Sequence, residues 1–94
     1  TGVSGDVADR MGRMMRDIGE NIQVITITHL PQVAAKGEHH FKVFKHDTDT
    51  STVTHIKELS RAERTDELAL MLSGDSTNPA SRAAAEELLA SSIR

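Results

Sequence analysis

His29 is the residue whose surroundings point most clearly to chemistry. The residues before it, 22–28, read Ile-Gln-Val-Ile-Thr-Ile-Thr, and all but Gln23 are β-branched. A segment that is apolar on both faces is typical of a strand covered from both sides in a parallel sheet. Ligands of open α/β sheets bind beyond the carboxyl ends of such strands. A histidine there is able to donate a hydrogen bond to an anion or to orient a water molecule, although simple capping of a loop is the alternative.

The other histidines are weaker candidates. His39 and His40 are adjacent, so on a strand they point to opposite faces and do not chelate one metal together. His46 and His55 meet only across a hairpin, where solvent-facing polar positions are the favoured interpretation. The acidic loop between them lacks the glycine and the bidentate glutamate of a calcium loop. We therefore predict no metal site on this chain.

Nucleotide-binding motifs are absent or misplaced. The sequence has no G-x-x-x-x-G-K-[ST] loop and no G-x-G-x-x-G, H-E-x-x-H or G-x-S-x-G motif. Residues 72–75, Leu-Ser-Gly-Asp, resemble the start of the LSGG signature of ABC ATPases, whose glycines lie at a helix N-terminus facing phosphate. Here they follow an apolar helical repeat and so fall at a helix C-terminus. We predict that Gly74 is a C-cap.

The first element that must position His29 is a helix. Ser4 or Asp6 is its predicted N-cap, and Gly19 and Asn21 end it. One stripe of this helix is apolar and is predicted to pack in the core. The stripe consists of Val7, Met11, Met14, Met15 and Ile18.

The strand at 22–28 is followed by smaller elements. Residues 31–36 suit a short helix that begins at Pro31. Residues 40–46 and 52–59 form a predicted hairpin toward a sheet edge. Ser60, with Glu63 three residues later, predicts a capped helix that ends at Gly74, and a last helix covers 80–93. The predicted apolar positions of these two helices are Leu68, Met71, Leu72, Ala84, Leu88 and Ile93.

Composition excludes several classes of function. The formal charge of −3 argues against binding nucleic acid or an anionic membrane by charge alone, so DNA contact would need a local cluster such as Lys42, Lys45 and Lys57. Phe41 and Phe44 are the only aromatic residues besides histidine, too few for base stacking. No apolar run suits a membrane span, no signal peptide is visible, and the lack of cysteine fits a reducing cytosol.

The predicted core is thin for an independent protein. Leu, Ile, Val and Phe make up 21 of the 94 residues, and short chains bury a small share of their surface. The chain also begins at Thr1 rather than Met. We therefore expect 1–94 to be a single piece of something larger, with marginal stability alone.

Several stretches together resemble the C-terminal end of the RecN family, bacterial SMC-like ATPases of double-strand-break repair. They are Thr-Gly-Val-Ser-Gly at 1–5, Val-Ile-Thr-Ile-Thr-His-Leu-Pro-Gln-Val-Ala-Ala-Lys-Gly at 24–37, Glu-Leu-Ser-Arg at 58–61, and Glu-Leu-Ala-Leu-Met-Leu-Ser-Gly at 67–74. The stretch around His29 is the most specific of these, whereas the alanine-rich C-terminal helix is not specific.

The resemblance implies a fold and an activity. The fold would be α/β: part of an ABC-type (P-loop) ATPase head, with a short, mainly parallel sheet, an edge hairpin and flanking helices. Two such heads, a homodimer, would sandwich ATP and Mg²⁺ and couple hydrolysis to DNA binding, in DNA repair and recombination. The setting would be cytoplasmic and nucleoid-associated, with no membrane partner.

The resemblance also implies site residues. Thr1, Gly2, Val3, Ser4 and Gly5 would be the D-loop, which in ABC heads follows the Walker B carboxylates and runs along the head–head interface. His29 would be the switch histidine that reaches the γ-phosphate and the attacking water. Ser4 stands where many ABC heads have aspartate, and its hydroxyl carries no charge.

Two expectations follow for the 94 residues themselves. Without a P-loop lysine, magnesium carboxylates or a signature motif, the chain alone should hold no nucleotide and hydrolyse none, and it should self-associate through faces left uncovered. The alternative function is a non-catalytic α/β module that binds a partner protein through the hairpin or the last helix.

Overall fold

A computed structural model describes residues 4–92 of the chain, which form four helices and two strands in an α/β arrangement. In chain order the elements are α1 (Gly5–Gly19), α2 (Pro31–Ala34), β1 (Phe41–Asp47), β2 (Thr52–Glu58), α3 (Arg61–Ser73) and α4 (Pro79–Ser91). Within these described residues, no helix has both the length and the apolar character needed to cross a membrane.

The sheet corrects one prediction and confirms another. Its two strands, β1 and β2, are antiparallel, from the pair Phe41 and Glu58 to the pair Asp47 and Thr52. The expected mainly parallel sheet is therefore wrong, whereas the hairpin is confirmed. The reason is that residues 22–28, predicted as the central strand, pair with no strand in the part of the chain described. A β-branched sequence cannot form a ladder without a neighbouring strand.

The core lies between α3 and α4, with the end of α2 against it. Its buried members are Ala35, Leu68, Ala69, Ala85 and Leu89, and Ala34, Met71 and Leu88 pack beside them half-buried. The predicted burial of Leu68 is confirmed, while Leu72 is exposed. Alanine contributes little apolar area, so this core is small, as composition predicted.

In α4 the inward face differs from the predicted one by one position. Ala84 is exposed, and the buried residues are Ser81, Ala85 and Leu89, with Leu88 half-buried. An alanine-rich helix offers similar side chains on neighbouring faces, so the sequence does not distinguish a rotation of one residue. Ile93 lies outside the described residues.

The caps of α3 and α4 follow their local sequence. Ser60 accepts from the Glu63 amide while the Glu63 carboxylate accepts from the Ser60 amide, the predicted capping box. Gly74 ends α3 with φ of 96°, a conformation that favours glycine. Asn78 and Ser81 form a second reciprocal cap before α4.

The methionine stripe of α1 is not core, contrary to prediction. Val7, Met11, Met14 and Ile18 are exposed, Met14 by 64%, and Met15 is half-buried; the buried residues of the helix are Ala8 and Gly12. The helix packs on the four-residue α2, which covers only a narrow strip of small residues. Most of the wide apolar face of α1 therefore has no cover from the described residues.

Gly12 is where α1 and α2 come closest. A Cβ atom at this position would lie 2.8 Å from Cγ of Lys36 and 3.2 Å from the backbone oxygen of Gln32. Both distances are shorter than ordinary van der Waals contact, so a side chain here requires the Lys36 side chain and the α2 backbone to shift.

We expect Gly12→Ala to lower the free energy of unfolding of the chain by about 1–3 kcal/mol, the usual range for overpacking. Urea denaturation measures the change. Gly19→Ala is the matched control, because nothing lies within 4 Å of a Cβ there, and it should leave stability unchanged or raise it. Equal stability of the two variants would contradict the tight crossing.

Candidate functional site

His29 faces solvent between two anchored neighbours. Its side chain is exposed, Thr28 and Leu30 on either side are half-buried, and Pro31 is buried at the start of α2. The Thr28 hydroxyl accepts a hydrogen bond from the Leu30 amide at 3.0 Å, which closes a short turn around His29. The structure thus presents the imidazole outward from a fixed backbone, where an external ligand has access to it.

The segment before His29 is exposed to an unusual degree. Residues 22–27 all lie at the surface, with Ile25 85% exposed and Ile27 fully exposed. The segment returns along α1, where the Thr26 hydroxyl lies 3.4 Å from the Met15 sulfur. Together with the uncovered stripe of α1, it makes an apolar surface larger than single scattered residues would give.

The N-terminal motif is only partly described. Thr1, Gly2 and Val3 lie outside the described residues. Ser4 is the N-cap of α1: its hydroxyl accepts from the Val7 amide at 3.4 Å and its carbonyl accepts from the Ala8 amide at 2.9 Å. Of the two predicted caps, Ser4 is therefore the one used.

Gly5 brings the N-terminal motif next to the stretch that carries His29. A Cβ on Gly5 would lie 3.6 Å from the side-chain nitrogen of Gln32, three residues after His29. The start of α1 thus contacts α2, whose own start follows the histidine. Two of the predicted motifs, far apart in sequence, are neighbours in the fold.

An ion pair, which the sequence did not indicate, joins α1 to the residues that directly follow α2. Lys36 is only 7% exposed, and its ammonium lies 2.7 Å from Oδ1 of Asp9 on α1. The second oxygen of Asp9 lies 2.7 Å from Arg13. The hydrogen bond from Lys36 lowers the pKa of Asp9, against the opposing effect of burial, and Arg13 adds to the lowering. Since Asp9 and Lys36 are 27 positions apart, no local pattern reveals the pair.

His46 and His55 of the hairpin are neighbours, but the third side chain beside them is the ring of Phe44 rather than another possible metal ligand. The rings of His46 and His55 are 6.2 Å apart, and His55 stacks on Phe44 at 5.3 Å. Among residues 4–92, no group of three or more His, Cys, Asp or Glu side chains is placed to hold a metal ion.

The lysine cluster of the hairpin is largely neutralised. Lys42 lies 2.8 Å from Glu67, and Lys57 lies 2.5 Å from Glu63. The hydrogen bond from Lys57, followed by that from the Ser60 backbone, lowers the pKa of Glu63 to about 2. Two of the three lysines proposed for DNA contact therefore attach the hairpin to α3 instead.

Comparison with known proteins gives a consistent picture. No protein-family model matches the chain. It is 46% identical over 88 residues to the DNA repair protein RecN of Rickettsia conorii, and 42% identical over 88 residues to that of Haemophilus influenzae. It is 45% identical over 89 residues to RecN of Xylella fastidiosa. These alignments cover 94–95% of the chain but only 16% of each relative.

Proposed function

The chain belongs to the RecN family, whose C-terminal region it resembles, and on this premise we propose that it forms part of the ATP-hydrolysing head of a DNA repair protein. In this proposal the head is of the ABC type and works as a homodimer on DNA in the cytoplasm, associated with the nucleoid. The family name supports a role in DNA repair. The ATPase role rests on the site described above.

The observation that carries the proposal is the placement of His29. Its imidazole is exposed while Thr28 and Pro31 fix the backbone on both sides. Phosphoryl transfer is catalysed mainly by positioning and by stabilising charge, and an anchored, solvent-facing imidazole is suited to both. We propose His29 as the residue that contacts the γ-phosphate and the attacking water.

Ser4 and Gly5 support the same proposal from the other side of the α1–α2 contact. As the end of the D-loop, Thr1 to Gly5, they would lie against the second head. Since Gly5 lies close enough to α2 for an added Cβ to reach van der Waals contact with Gln32, a contact made there by the partner head would be transmitted toward His29.

The rest of the protein would supply what these 94 residues lack. The chain has no phosphate-binding glycine loop, so ATP and Mg²⁺ would be held mainly by other parts of the head, and the isolated chain should be inactive. The uncovered segment 22–28 would pair with strands from elsewhere in the head. In the isolated chain that segment would favour self-association.

This covering of segment 22–28 is testable by hydrogen exchange. We expect amides of residues 23–28 to exchange at least about tenfold more slowly in the full-length protein than in the 94-residue chain, because buried strand amides are protected and unpaired ones are not. Helix α3 is the internal control, since its amides are hydrogen-bonded in both. Equally fast exchange of 23–28 in the full-length protein would contradict the covering.

A non-catalytic interaction module stays the second candidate, favoured by one observation. One face of the hairpin carries Phe41, Val43 and Ile56, all more than half exposed. The two candidates differ at His29. ATP turnover by the full-length protein with His29→Ala is the direct test, since a loss of turnover supports the ATPase head and no change supports the module.

A further inference from the structure

A groove on the side of α3 carries an unbalanced positive charge. It has a volume of about 280 Å³ and is lined by Arg16 of α1, by Arg61 and Arg64 of α3, and by Glu38, with Leu89 and Ser92 among the remaining residues. Among the described residues, three arginines and one acidic residue thus line the groove, although the whole chain has a formal charge of −3.

Two of the three guanidiniums are fixed by backbone oxygens rather than by acids. Nη2 of Arg64 donates to the carbonyls of Gly37 at 2.9 Å and Ala34 at 3.2 Å. Nη1 of Arg16 donates to the carbonyl of Ser92. Between residues 4 and 92, none of the three arginines forms an ion pair with a carboxylate. The orientation of Arg16 and Arg64 is therefore set by backbone carbonyls, and none of the three charges is paired with a described carboxylate.

The arrangement includes a like-charge repulsion that an anion would relieve. Burial, and then the proximity of Arg61, lowers the pKa of Arg64. Arg61 is the first residue of α3, where the helix dipole is also positive. A bound phosphate would offset these unfavourable effects, and the planar guanidinium is the side chain best matched to phosphate oxygens.

We propose that this groove binds a phosphate group of a DNA backbone. The choice of DNA rests on the proposed function, whereas the preference for phosphate rests on the groove itself. None of the described residues that line it is aromatic, so they offer no surface for a nucleotide base to stack on. Contacts of this kind position a protein on a duplex without reading its sequence.

The test is the salt dependence of duplex binding by the full-length protein. A fluorescent duplex oligonucleotide is titrated without nucleotide at several salt concentrations, and anisotropy gives the affinity. Arg61 is exposed, so Arg61→Gln should fold normally. We expect it to weaken binding and to reduce the slope of log K against log salt by about 0.9, the value for one lost phosphate contact. Arg61→Lys should keep most of the slope.

Arg10→Gln is the matched control, because Arg10 is an exposed arginine of α1 outside the groove. The proposal is overturned if Arg61→Gln keeps the wild-type slope, as Arg10→Gln should. It is also overturned if Arg61→Gln raises the KM for ATP while the duplex slope is unchanged, since the groove would then hold a nucleotide phosphate. The anisotropy measurement of duplex binding contains no ATP, so its result is independent of whether His29 takes part in hydrolysis.

Discussion

Replacing His29 by alanine in the full-length protein is expected to lower kcat for ATP hydrolysis by at least about tenfold, and by roughly 10²–10³ if the imidazole contacts the developing charge directly. The expectation follows from its exposed, anchored placement, which leaves the ring available to a phosphate. Because the side chain is exposed, its removal should not affect folding. Steady-state release of phosphate at saturating ATP measures the effect.

His46→Ala is the control for that experiment. His46 is likewise an exposed histidine, but it lies on the hairpin, away from α2. It should retain wild-type turnover, and thermal unfolding should show that both variants are folded. Wild-type turnover in the His29 variant would remove this residue from the mechanism and favour the interaction module.

The largest expected effect on stability is at Asp9. In Asp9→Ala the ammonium of Lys36, 7% exposed, loses its carboxylate. Removal of one partner of a fully buried ion pair costs about 3–5 kcal/mol, since the other charge is left uncompensated; because the Asp9 side chain is 27% exposed, the cost here should lie near the lower end of that range. We expect a loss of that size in urea denaturation of the 94-residue chain, a large part of the stability of a domain with so small a core.

A double variant separates loss of the pair from loss of packing. Asp9→Leu combined with Lys36→Met leaves no buried charge and should recover most of the stability lost in Asp9→Ala. Asp66→Ala is the surface control: its pair with Arg82 is half exposed on both sides, so its removal should cost at most about 1 kcal/mol. A cost at Asp9 no larger than at Asp66 would show that the Lys36 pair does not stabilise the fold.

The same pair gives a pH dependence of known sign. The pKa of Asp9 is lowered in the folded chain, so the folded state favours the ionised carboxylate. Its contribution is complete above the ordinary carboxyl pKa of 3.8 and is lost as the pH falls through the lower folded value. Acid unfolding of the double variant should lack this component.

Local features of this fold were predictable from sequence, and features that depend on distant neighbours were not. Ser60 and Gly74 act within one turn of the chain, so their neighbours in sequence determine their roles. Met14 and Ile25 were predicted to be buried and are exposed, because hydrophobic periodicity indicates which face needs a cover but not whether residues 4–92 supply one.

The candidate site shows the same division. The position of His29 after a β-branched segment was visible in the sequence, and so was its potential chemistry. The Asp9–Lys36 pair and the arginine groove were not visible, because each joins side chains that only folding brings together. Such contacts lack the fixed spacing on which motif analysis depends.

The close crossing at Gly12 has a mechanical consequence. Since α1 meets the Gln32 backbone with no room for a methyl group, and Lys36, just after α2, is paired with Asp9 of α1, the two helices should resist sliding or tilting independently. The two helices should therefore move as one rigid body. Ser4 and the turn that contains His29 lie near the same end of it. A displacement of that end would move the His29 imidazole with it, because no flexible joint separates the two.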